Sequence, residues 1–348
     1  MMISIAIPRT TGGGAEVFTR QFAIWLKSKG NLSKIYTAFG DDHFKDESVS
    51  LGELRAAGVF RSFWNKSSID HAKSYLLTLG YINLSVCLLL NRKNTNVVIR
   101  LCNPPNEELK LLNTVQAIRY WLTTRISCAI ADHIIVQSEH MKRSMLSTAL
   151  ASGKKISVIN NPISDKTWEI RNTKRPFEFP YILCASSNKP QKDLPTLISA
   201  FANIQRMTDR HLVLAGVSAD DPLILRSIAD NKIEPGRVHC LGFVDDVFPL
   251  IEHAEVCTLP SLFEGFSNFL LEAAAYGKKI IATDCPGGNA ELFSRYPNHK
   301  TVPIGDIKKL GTALLTERND LVISQAKLLL EDFSEDQIYG KYFSLLSK

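Results

Sequence analysis

The chain has 348 residues, of which 45% are hydrophobic and 22% are charged. This length is enough for two domains of about 150 to 180 residues each, and the hydrophobic content excludes an intrinsically disordered protein. The net charge of +6 is uneven: residues 1–160 carry +9 (20 Lys and Arg, 11 Asp and Glu) and residues 161–348 carry −3 (21 and 24). The basic half predicts an anionic partner such as lipid phosphate, a membrane surface or an acidic glycan, with plain surface variation as the alternative.

Strand and helix patterns alternate along the chain, which predicts an α/β protein with parallel sheets. The uncharged run 76–90 is shorter than the roughly 18 to 20 residues of a membrane span, and we predict a buried helix there. The other predicted helices include 15–29, 194–207, 222–231, 269–276 and 334–348. The predicted strands are 4–8, 34–38, 97–101, 133–136, 156–159, 181–185, 211–215, 238–242, 256–260 and 279–283.

The polar segment 165–180 separates the two sets of elements and contains Pro176 and Pro180. We therefore predict a linker there, between an N-terminal domain over 1–164 and a C-terminal domain over 181–333. Alternating strands and helices on both sides predict two doubly wound, Rossmann-like domains that face each other across a cleft.

Several classes of site are not indicated. No basic stripe interleaves with aromatic residues, which argues against a nucleic-acid partner. The eight histidines lack metal-ligand spacing and no Asp-x-Asp pair occurs, so we expect neither a metal nor another cofactor. The seven cysteines lie far apart with no C-x-x-C pair, which is typical of reduced core cysteines in a cytoplasmic protein.

The segment 261–272 carries the strongest functional signal. A predicted strand leads into a glycine-bearing turn, and Ser267 is a suitable N-cap for the apolar run that follows. A helix N-terminus after such a turn is a natural anion site. Glu272 lies five residues past Ser267, about 7 Å along a helix axis, a span that suits a diphosphate with sugars at both ends. Alternatively, Glu264 only favours the helix N-terminus and Glu272 is a solvated surface residue.

Residues 260–292, PSLFEGFSNFLLEAAAYGKKIIATDCPGGNAEL, resemble the signature of retaining glycosyltransferase family 4, whose members have the GT-B fold and a Glu-x7-Glu motif. The resemblance implies that Glu264 lies near the donor sugar and that Glu272 holds the ribose of the sugar nucleotide. It also implies that helix 334–348 crosses back onto the first domain. The backbone expected to face the donor sugar and diphosphate is that of Gly265, Phe266, Ser267 and Asn268.

The loop after predicted strand 181–185 resembles the family loop whose arginine and lysine stabilise the leaving diphosphate. Lys192 matches the lysine, but Ser187 stands at the arginine position. Arginine can contact phosphate with two hydrogen bonds, whereas serine offers one weak bond. We therefore hypothesise that Lys189 substitutes for the missing arginine.

Other turns resemble the family at single positions. Gly13 and Gly14 match a turn that approaches the donor diphosphate, although a simple tight turn explains them equally well. Gly242 and Phe243 match a loop whose backbone reads the nucleobase edge, and Gly287-Gly288 resembles a turn near the donor pocket.

The family's acceptor-domain histidine is absent from this chain. The sequence after strand 97–101 begins with Cys102 and Asn103, and either Asn103 or Arg100 could donate a hydrogen bond to the reacting sugar. We assign Asn103 to the catalytic residues with Glu264 and Lys192.

The resemblance implies a retaining, metal-independent glycosyltransferase that moves a hexose or N-acetylhexosamine from a nucleotide diphosphate sugar, UDP before GDP. The acceptor is a glycan or a lipid-linked sugar, in bacterial surface polysaccharide, lipopolysaccharide or capsule synthesis. Two carboxylates on one element cannot flank a scissile bond, which disfavours a glycosidase.

Two rival functions stay open. Ser187 and the missing histidine favour a catalytically weakened sugar-nucleotide or glycan-binding subunit, and a nonhydrolysing sugar-nucleotide epimerase shares the architecture. A further alternative concerns the helix around 119–125, which either contacts the inner membrane surface or a lipid-linked acceptor, or buries Trp121 in the core with a solvated basic face.

Overall fold

The structure, a computed structural model, describes residues 1–7, 13–37, 48–50, 72–78, 95–168, 173–317 and 319–348. These residues form two compact units, Met1–Pro162 with Glu335–Lys348, and Ile163–Ser334. Each unit is a parallel sheet with flanking helices, so the predicted α/β fold with two doubly wound domains is confirmed. Within these ranges no helix is both long and apolar enough to cross a bilayer.

The first unit is built on a seven-stranded sheet in the order β3-β2-β1-β4-β5-β6-β7. Its strands are β1 (Ile3–Ala6), β2 (Leu32–Thr37), β3 (Ser48–Ser50), β4 (Ser74–Thr78), β5 (Asn96–Arg100), β6 (His133–Val136) and β7 (Ile156–Val158). Its described helices are α1 (Gly14–Ser28), α2 (Pro105–Lys110), α3 (Thr114–Ile130), α4 (Glu139–Ser147) and, from the end of the chain, α12 (Glu335–Leu346).

Strand β4 corrects one sequence prediction. Residues 76–78 belong to this strand and not to a buried helix, and residues 79–90 of that prediction lie outside the described residues. Leu76 packs into the core on one face of the sheet, while Tyr75 and Leu77 pack on the other. Because both faces are covered by apolar residues, residues 75–77 are all hydrophobic and lack the alternation that marks a half-buried strand.

Helix α12 belongs to the first unit although it ends the chain. The Ser74 hydroxyl donates to the Leu346 carbonyl over 2.5 Å, and the Asn96 amide donates to the Leu345 carbonyl over 3.0 Å. Tyr339 and Tyr342 of this helix are buried against Phe18 of α1. The last helix therefore completes the core against strands that lie some 240 or more residues earlier in the chain.

The second unit has a six-stranded parallel sheet in the order β10-β9-β8-β11-β12-β13. Its strands are β8 (Tyr181–Ala185), β9 (His211–Ala215), β10 (Val238–Cys240), β11 (Val256–Leu259), β12 (Ile280–Thr283) and β13 (His299–Val302). Its described helices are α5 (Leu194–Ile204), α6 (Pro222–Asp230), α7 (Phe248–His253), α8 (Asn268–Ala275), α9 (Asn289–Phe293), α10 (Ile307–Leu314) and α11 (Ile323–Leu329). Edge strand β13 was missed by the sequence analysis, because its side chains are mostly polar and partly exposed.

The boundary between the units lies at Pro162 and Ile163, before the segment predicted as a linker. The described residues of 165–180 belong to the second unit. Phe177 and Phe179 pack against its core and stack on each other at 4.8 Å between ring centroids, which ties this segment to strand β8. The acceptor-binding and donor-binding roles of the two domains stay predictions.

The six cysteines that the structure describes are free thiols. Cys184 and Cys285 lie in the core of the second unit, and burial raises the pKa of each thiol to about 12. Both therefore stay protonated near neutral pH, as expected of unreactive core cysteines. Cys87 lies outside the described residues.

Candidate functional site

The order of strands in the second unit creates a switch point. Strand β8 is hydrogen-bonded to β9 on one side and to β11 on the other. The strands that follow β8 in the chain are therefore added first on one side of it (β9, β10) and then on the other (β11, β12, β13). In open parallel sheets, ligands bind at the carboxyl edge where this reversal separates two loops. Here the two loops are 186–193, after β8, and 260–267, after β11.

The two loops meet through Lys192 and Glu264. The Lys192 ammonium lies 2.6 Å from Oε1 of Glu264, which also accepts a hydrogen bond of 2.5 Å from the Ser261 hydroxyl. A backbone bond from the Leu262 N–H to the Gln191 carbonyl, 2.8 Å long, joins the same loops. The Glu264 side chain is 5% exposed and that of Lys192 is 16% exposed, so the structure balances a nearly buried carboxylate with one cation and one hydroxyl.

Local backbone geometry directs Lys192 toward this contact. Residues Pro190–Lys192 form a single 3₁₀ turn that ends at Asp193, whose φ of +46° lies in the left-handed region. Aspartate tolerates this conformation better than most residues. The reversal starts helix α5 immediately afterwards, so Lys192 is held between a tight turn and a helix N-terminus.

The glycine pair after β12, Gly287 and Gly288, packs closely against the backbone of Glu264. The Glu264 N–H donates to the Pro286 carbonyl over 3.0 Å. Gly287 has a φ of +144°, and a Cβ added there would overlap the Glu264 carbonyl. A Cβ on Gly288 would come within 2.6 Å of the Gly265 carbonyl oxygen. Only glycines allow this turn to pass so close to the 264–266 backbone.

Helix α8 begins shortly after Glu264, at Asn268. Ser267 is its N-cap and accepts a hydrogen bond of 3.2 Å from the Leu270 N–H, as the sequence predicted. Gly265 is buried, and the buried ring of Phe266 lies 5.6 Å from that of Phe333, so the Phe266 side chain belongs to the core. Any contact of Phe266 with a ligand would therefore come from its backbone, as predicted. Asn268, the first helical residue, is half-buried.

Glu272 lies one and a half turns into α8 and is half-buried. Burial, together with the negative charge of Asp246, raises the pKa of Glu272 to about 8. Asp246 follows strand β10, so the structure brings Glu272 near the loop that contains Gly242 and Phe243. Sequence reasoning missed Asp246, because a second aspartate in a polar loop carries no signal of its own.

In that loop, Gly242 and Phe243 differ in how much they can offer to a bound ligand. The Gly242 N–H donates to the Val217 carbonyl and its carbonyl accepts from the Gly216 N–H, both over 2.7 Å. The N–H of Gly242 is thus committed to the protein. Phe243 is 67% exposed and is the member of the pair with surface to offer a ligand.

Ser187 and Lys189 lie on the exposed part of the loop after β8. The Lys189 N–H donates to the Ser187 carbonyl over 2.9 Å. Within the described ranges, the Lys189 ammonium forms no ion pair. Next to them, Asn188 is anchored by a 2.8 Å bond to Asp221, the N-cap of α6. The substitution of Lys189 for the family's arginine stays a prediction.

Two predicted positions lie in the first unit at the start of α1. Gly13 is the N-cap of this helix, with no side chain to cap it, and Gly14 is the first helical residue. Residues 10–12 of the predicted glycine turn lie outside the described residues.

Asn103 follows β5 in the first unit and lies at a cavity of about 190 Å³. Its amide donates to Glu108 over 2.7 Å, and Tyr120 lines the same cavity. Burial raises the pKa of Tyr120, and the neighbouring Glu108 carboxylate adds to this effect. Neither Glu108 nor Tyr120 was found from the sequence, because neither belongs to a recognisable motif.

Arg100, the alternative acceptor contact, makes its hydrogen bonds within the protein. Arg100 is fully buried, and its three nitrogens donate to Tyr342, Cys102 and Asn161 over 2.9 to 3.1 Å. Its guanidinium also lies 3.9 Å from the centre of the Phe18 ring. This arginine joins β5 to helices α1 and α12, and its role toward an acceptor stays a prediction.

The region that holds the Lys192–Glu264 pair matches a known family. Residues 179–319 match the family model described as Glycosyl transferases group 1. The solved structure of HepE from Anabaena in complex with UDP-glucose superimposes with a TM-score of 0.79 at 15% identity, covering 100% of this chain and 99% of that chain. The fold is GT-B.

The sequence alignments with related proteins cover a smaller share of both chains than the structural superposition does. YqgM of Bacillus subtilis, named as an uncharacterized glycosyltransferase, is 32% identical over 213 residues, which are 59% of this chain and 54% of that protein. N-acetylgalactosamine-N,N'-diacetylbacillosaminyl-diphospho-undecaprenol 4-alpha-N-acetylgalactosaminyltransferase of Campylobacter jejuni is 26% identical over 278 residues, which are 78% of this chain and 70% of that protein. The chain thus spans about half the length of the Bacillus relative.

Proposed function

We propose that this protein is a retaining, metal-independent glycosyltransferase of family 4. It transfers a hexose or N-acetylhexosamine from a nucleotide diphosphate sugar, UDP before GDP, to a glycan or lipid-linked acceptor in bacterial surface polysaccharide synthesis. The observation that carries this proposal is the Lys192–Glu264 pair at the switch point of the second sheet, beside the capped N-terminus of α8.

In this proposal the donor diphosphate binds where α8 begins. The first N–H groups of a helix have no partner within the helix and attract anions. Lys192 adds a positive charge that stabilises the diphosphate as the glycosidic bond breaks, and Lys189 takes the place of the family's arginine. Glu272 accepts hydrogen bonds from the ribose hydroxyls, near the loop that carries Phe243.

Glu264 acts on the sugar. Its carboxylate orients the sugar hydroxyls and opposes the positive charge that develops at the anomeric carbon. In the structure, Lys192 and Ser261 both contact Oε1 of this carboxylate. Lys192 would therefore exchange part of this contact for the diphosphate when the donor binds, which couples donor binding to the orientation of Glu264.

Names of similar proteins support the choice of substrates. HepE was solved with UDP-glucose, and the name of the Campylobacter relative describes an N-acetylgalactosaminyl transfer to a diphospho-undecaprenol-linked sugar. We accordingly propose a UDP-sugar donor and a lipid-linked acceptor, reached from the cytoplasm by peripheral contact with the membrane. Asn103, beside Glu108 in the first unit, would donate a hydrogen bond to the reacting sugar.

One observation favours a second candidate. Ser187 is exposed and offers a single hydroxyl where the family has arginine, which weakens the stabilisation of the leaving group. A sugar-nucleotide-binding subunit with little turnover would tolerate this change. An epimerase of related architecture would instead convert the donor sugar without any acceptor.

The experiment begins with thermal unfolding in the presence of single nucleotides and nucleotide sugars, since a ligand of the native state raises the apparent stability. Tritium-labelled UDP- and GDP-sugars that stabilise the protein are then incubated with bacterial lipid extract, with and without EDTA. Label in the lipid fraction with EDTA present supports the transferase. Binding without transfer across all donors supports the binding subunit, and isomerised donor without acceptor supports the epimerase.

A further inference from the structure

The outward face of helix α3 is apolar. Val115, Ile118, Leu122 and Ile126 are 77%, 62%, 49% and 36% exposed. Their spacing of three, four and four residues places them within about a quarter of the helix circumference, in a stripe about 16 Å long. Four exposed aliphatic side chains in one stripe are unusual on a protein surface and indicate a contact.

The inward face of the same helix carries polar as well as apolar residues. Ser127 and Cys128 are buried there, and Thr124 is half-buried. An ordinary surface helix has the opposite arrangement, with its apolar stripe on the core. Trp121 points toward the unit, where its indole N–H donates to the Thr148 carbonyl over 3.0 Å. The exposed stripe therefore lies outside the hydrophobic core formed by the described residues of the first unit.

A groove of about 570 Å³ runs beside the C-terminal half of this stripe. Leu122 and Ile126 form part of its wall, together with Leu150. Arg125 and Lys155 line it as well, so it combines apolar walls with two cations. Such a groove fits a molecule that has both an apolar part and an anionic part.

The stripe lies in a basic part of the chain. Residues 105–164 contain seven Lys and Arg and four acidic residues, a net charge of +3. Arg119 and Arg125 lie just beyond the two edges of the stripe on a helical projection, and both are exposed. Two exposed arginines thus flank the apolar surface, and Lys155 lies in the groove beside it.

We propose that the α3 stripe (Val115, Ile118, Leu122, Ile126) with Arg119 and Arg125 rests on a bilayer surface that contains anionic phospholipid. An apolar stripe bordered by cations inserts among acyl chains while its arginines meet the phosphates. A second copy of the chain fits less well, because a twofold contact through this stripe would bring the exposed Arg119 and Arg125 of both copies together.

This inference rests on the membrane contact contained in the proposed function, but it can be tested apart from the transfer reaction. The stripe lies in the first unit, whereas the Lys192–Glu264 pair lies in the second. Vesicle binding can therefore be measured without any donor, and nucleotide binding can be measured without any vesicle. Failure of vesicle binding would remove the membrane contact and leave the transfer reaction standing, whereas failure of nucleotide binding would remove the transfer reaction and leave the membrane contact standing.

The test is sedimentation of the full chain with vesicles of phosphatidylcholine and phosphatidylglycerol at a ratio of 70 to 30. We expect binding that falls at high salt and is at least tenfold weaker on pure phosphatidylcholine. Ile118→Asp combined with Leu122→Asp should weaken binding at least tenfold. Leu223→Asp, at a residue of α6 that is 65% exposed, is the matched control and should bind as the wild type does.

The charged edge is tested separately. Arg119→Gln should weaken binding about fivefold, as the loss of one cation near an anionic surface predicts, while the exposed Lys308→Gln should not. Unchanged thermal unfolding of each variant shows that the fold is intact. The proposal is overturned if the wild type does not bind anionic vesicles, or if the stripe variants bind equally well. It is also overturned if the stripe variants convert a dimer into a monomer, which would assign the face to a second copy.

Discussion

Lys192 and Glu264 lie 72 positions apart in the chain, yet their side chains form an ion pair of 2.6 Å at the switch point of the second sheet. The pair is almost excluded from water, so each charge depends on the other. Removal of one partner from such a pair leaves an uncompensated charge and costs more than removal of both. The pair therefore has to serve both the stability of the site and its proposed chemistry.

The first prediction concerns stability. Lys192→Met and Glu264→Gln should each destabilise the protein, and a double-mutant cycle should give a coupling energy of about 0.5 to 3 kcal/mol. Urea unfolding of the four proteins measures it. The exposed pair Arg226 and Asp230, 3.4 Å apart on α6, is a matched control and should give less than about 0.5 kcal/mol. Equal coupling in both pairs would show that Lys192 and Glu264 do not interact strongly in solution.

The second prediction separates binding from turnover at Glu264. Because its carboxylate is proposed to act on the developing charge of the sugar, Glu264→Ala should lower kcat about 10²- to 10³-fold. The affinity for free UDP should change far less, since UDP carries no sugar to contact Glu264. Initial rates and calorimetric titration measure the two quantities. Near-normal turnover would make this glutamate structural.

The third prediction concerns the pH dependence of stability at Glu272. Burial and the Asp246 carboxylate raise the pKa of Glu272 from its ordinary value of 4.5 to about 8. The folded protein thus holds this proton more tightly than the unfolded chain does. The stability associated with this proton is complete below about pH 4.5 and is lost as the pH rises through 8.

Glu272→Gln cannot ionise, so its free energy of unfolding relative to the wild type should increase between pH 5 and pH 8. Chemical unfolding across this range measures the difference, with the exposed Glu317→Gln as control. A difference that is independent of pH would contradict the raised pKa.

The fourth prediction concerns nucleotide binding at the same residue. Ribose hydroxyls donate to an ionised carboxylate, so UDP binding should release protons from Glu272 near neutral pH. Titration calorimetry in two buffers with different ionisation enthalpies detects this release. Glu272→Ala should weaken UDP binding and abolish the proton release. Unchanged affinity for UDP would remove Glu272 from the ribose site.

The fifth prediction concerns the close contact between Gly287 and the backbone of Glu264. Gly287→Ala adds a Cβ that overlaps the Glu264 carbonyl at a φ of +144°, so it should cost about 2 to 5 kcal/mol of stability and displace the Glu264 backbone. Gly305→Ala is the control, because its φ of +72° is also positive but no atom lies within 4 Å of the added Cβ. Its cost should be about 1 to 2 kcal/mol. Equal costs, measured by urea unfolding, would show that contact with Glu264 is unimportant.

Much of the fold followed from the sequence because its patterns are local. Strands β8 and β9 were predicted at their observed bounds, since each is a short apolar run between polar turns. The cap of α8 by Ser267 depends only on residues within one helical turn, and it was found for the same reason. Strand β4 was mistaken for a helix, because a strand buried on both faces lacks the alternation that identifies it.

The sequence by itself determined which residues carry charge at the candidate site, because the Glu-x7-Glu spacing and the lysine after β8 lie within single short segments. Only the tertiary structure decided which of them meet. Sheet order brings Lys192 to Glu264 and a separate loop brings Asp246 toward Glu272, while packing buries Arg100 and turns the aliphatic side of α3 outward. These contacts depend on the position of strands and helices in space, and a side chain's neighbours across a sheet leave no mark on the residues next to it in the chain.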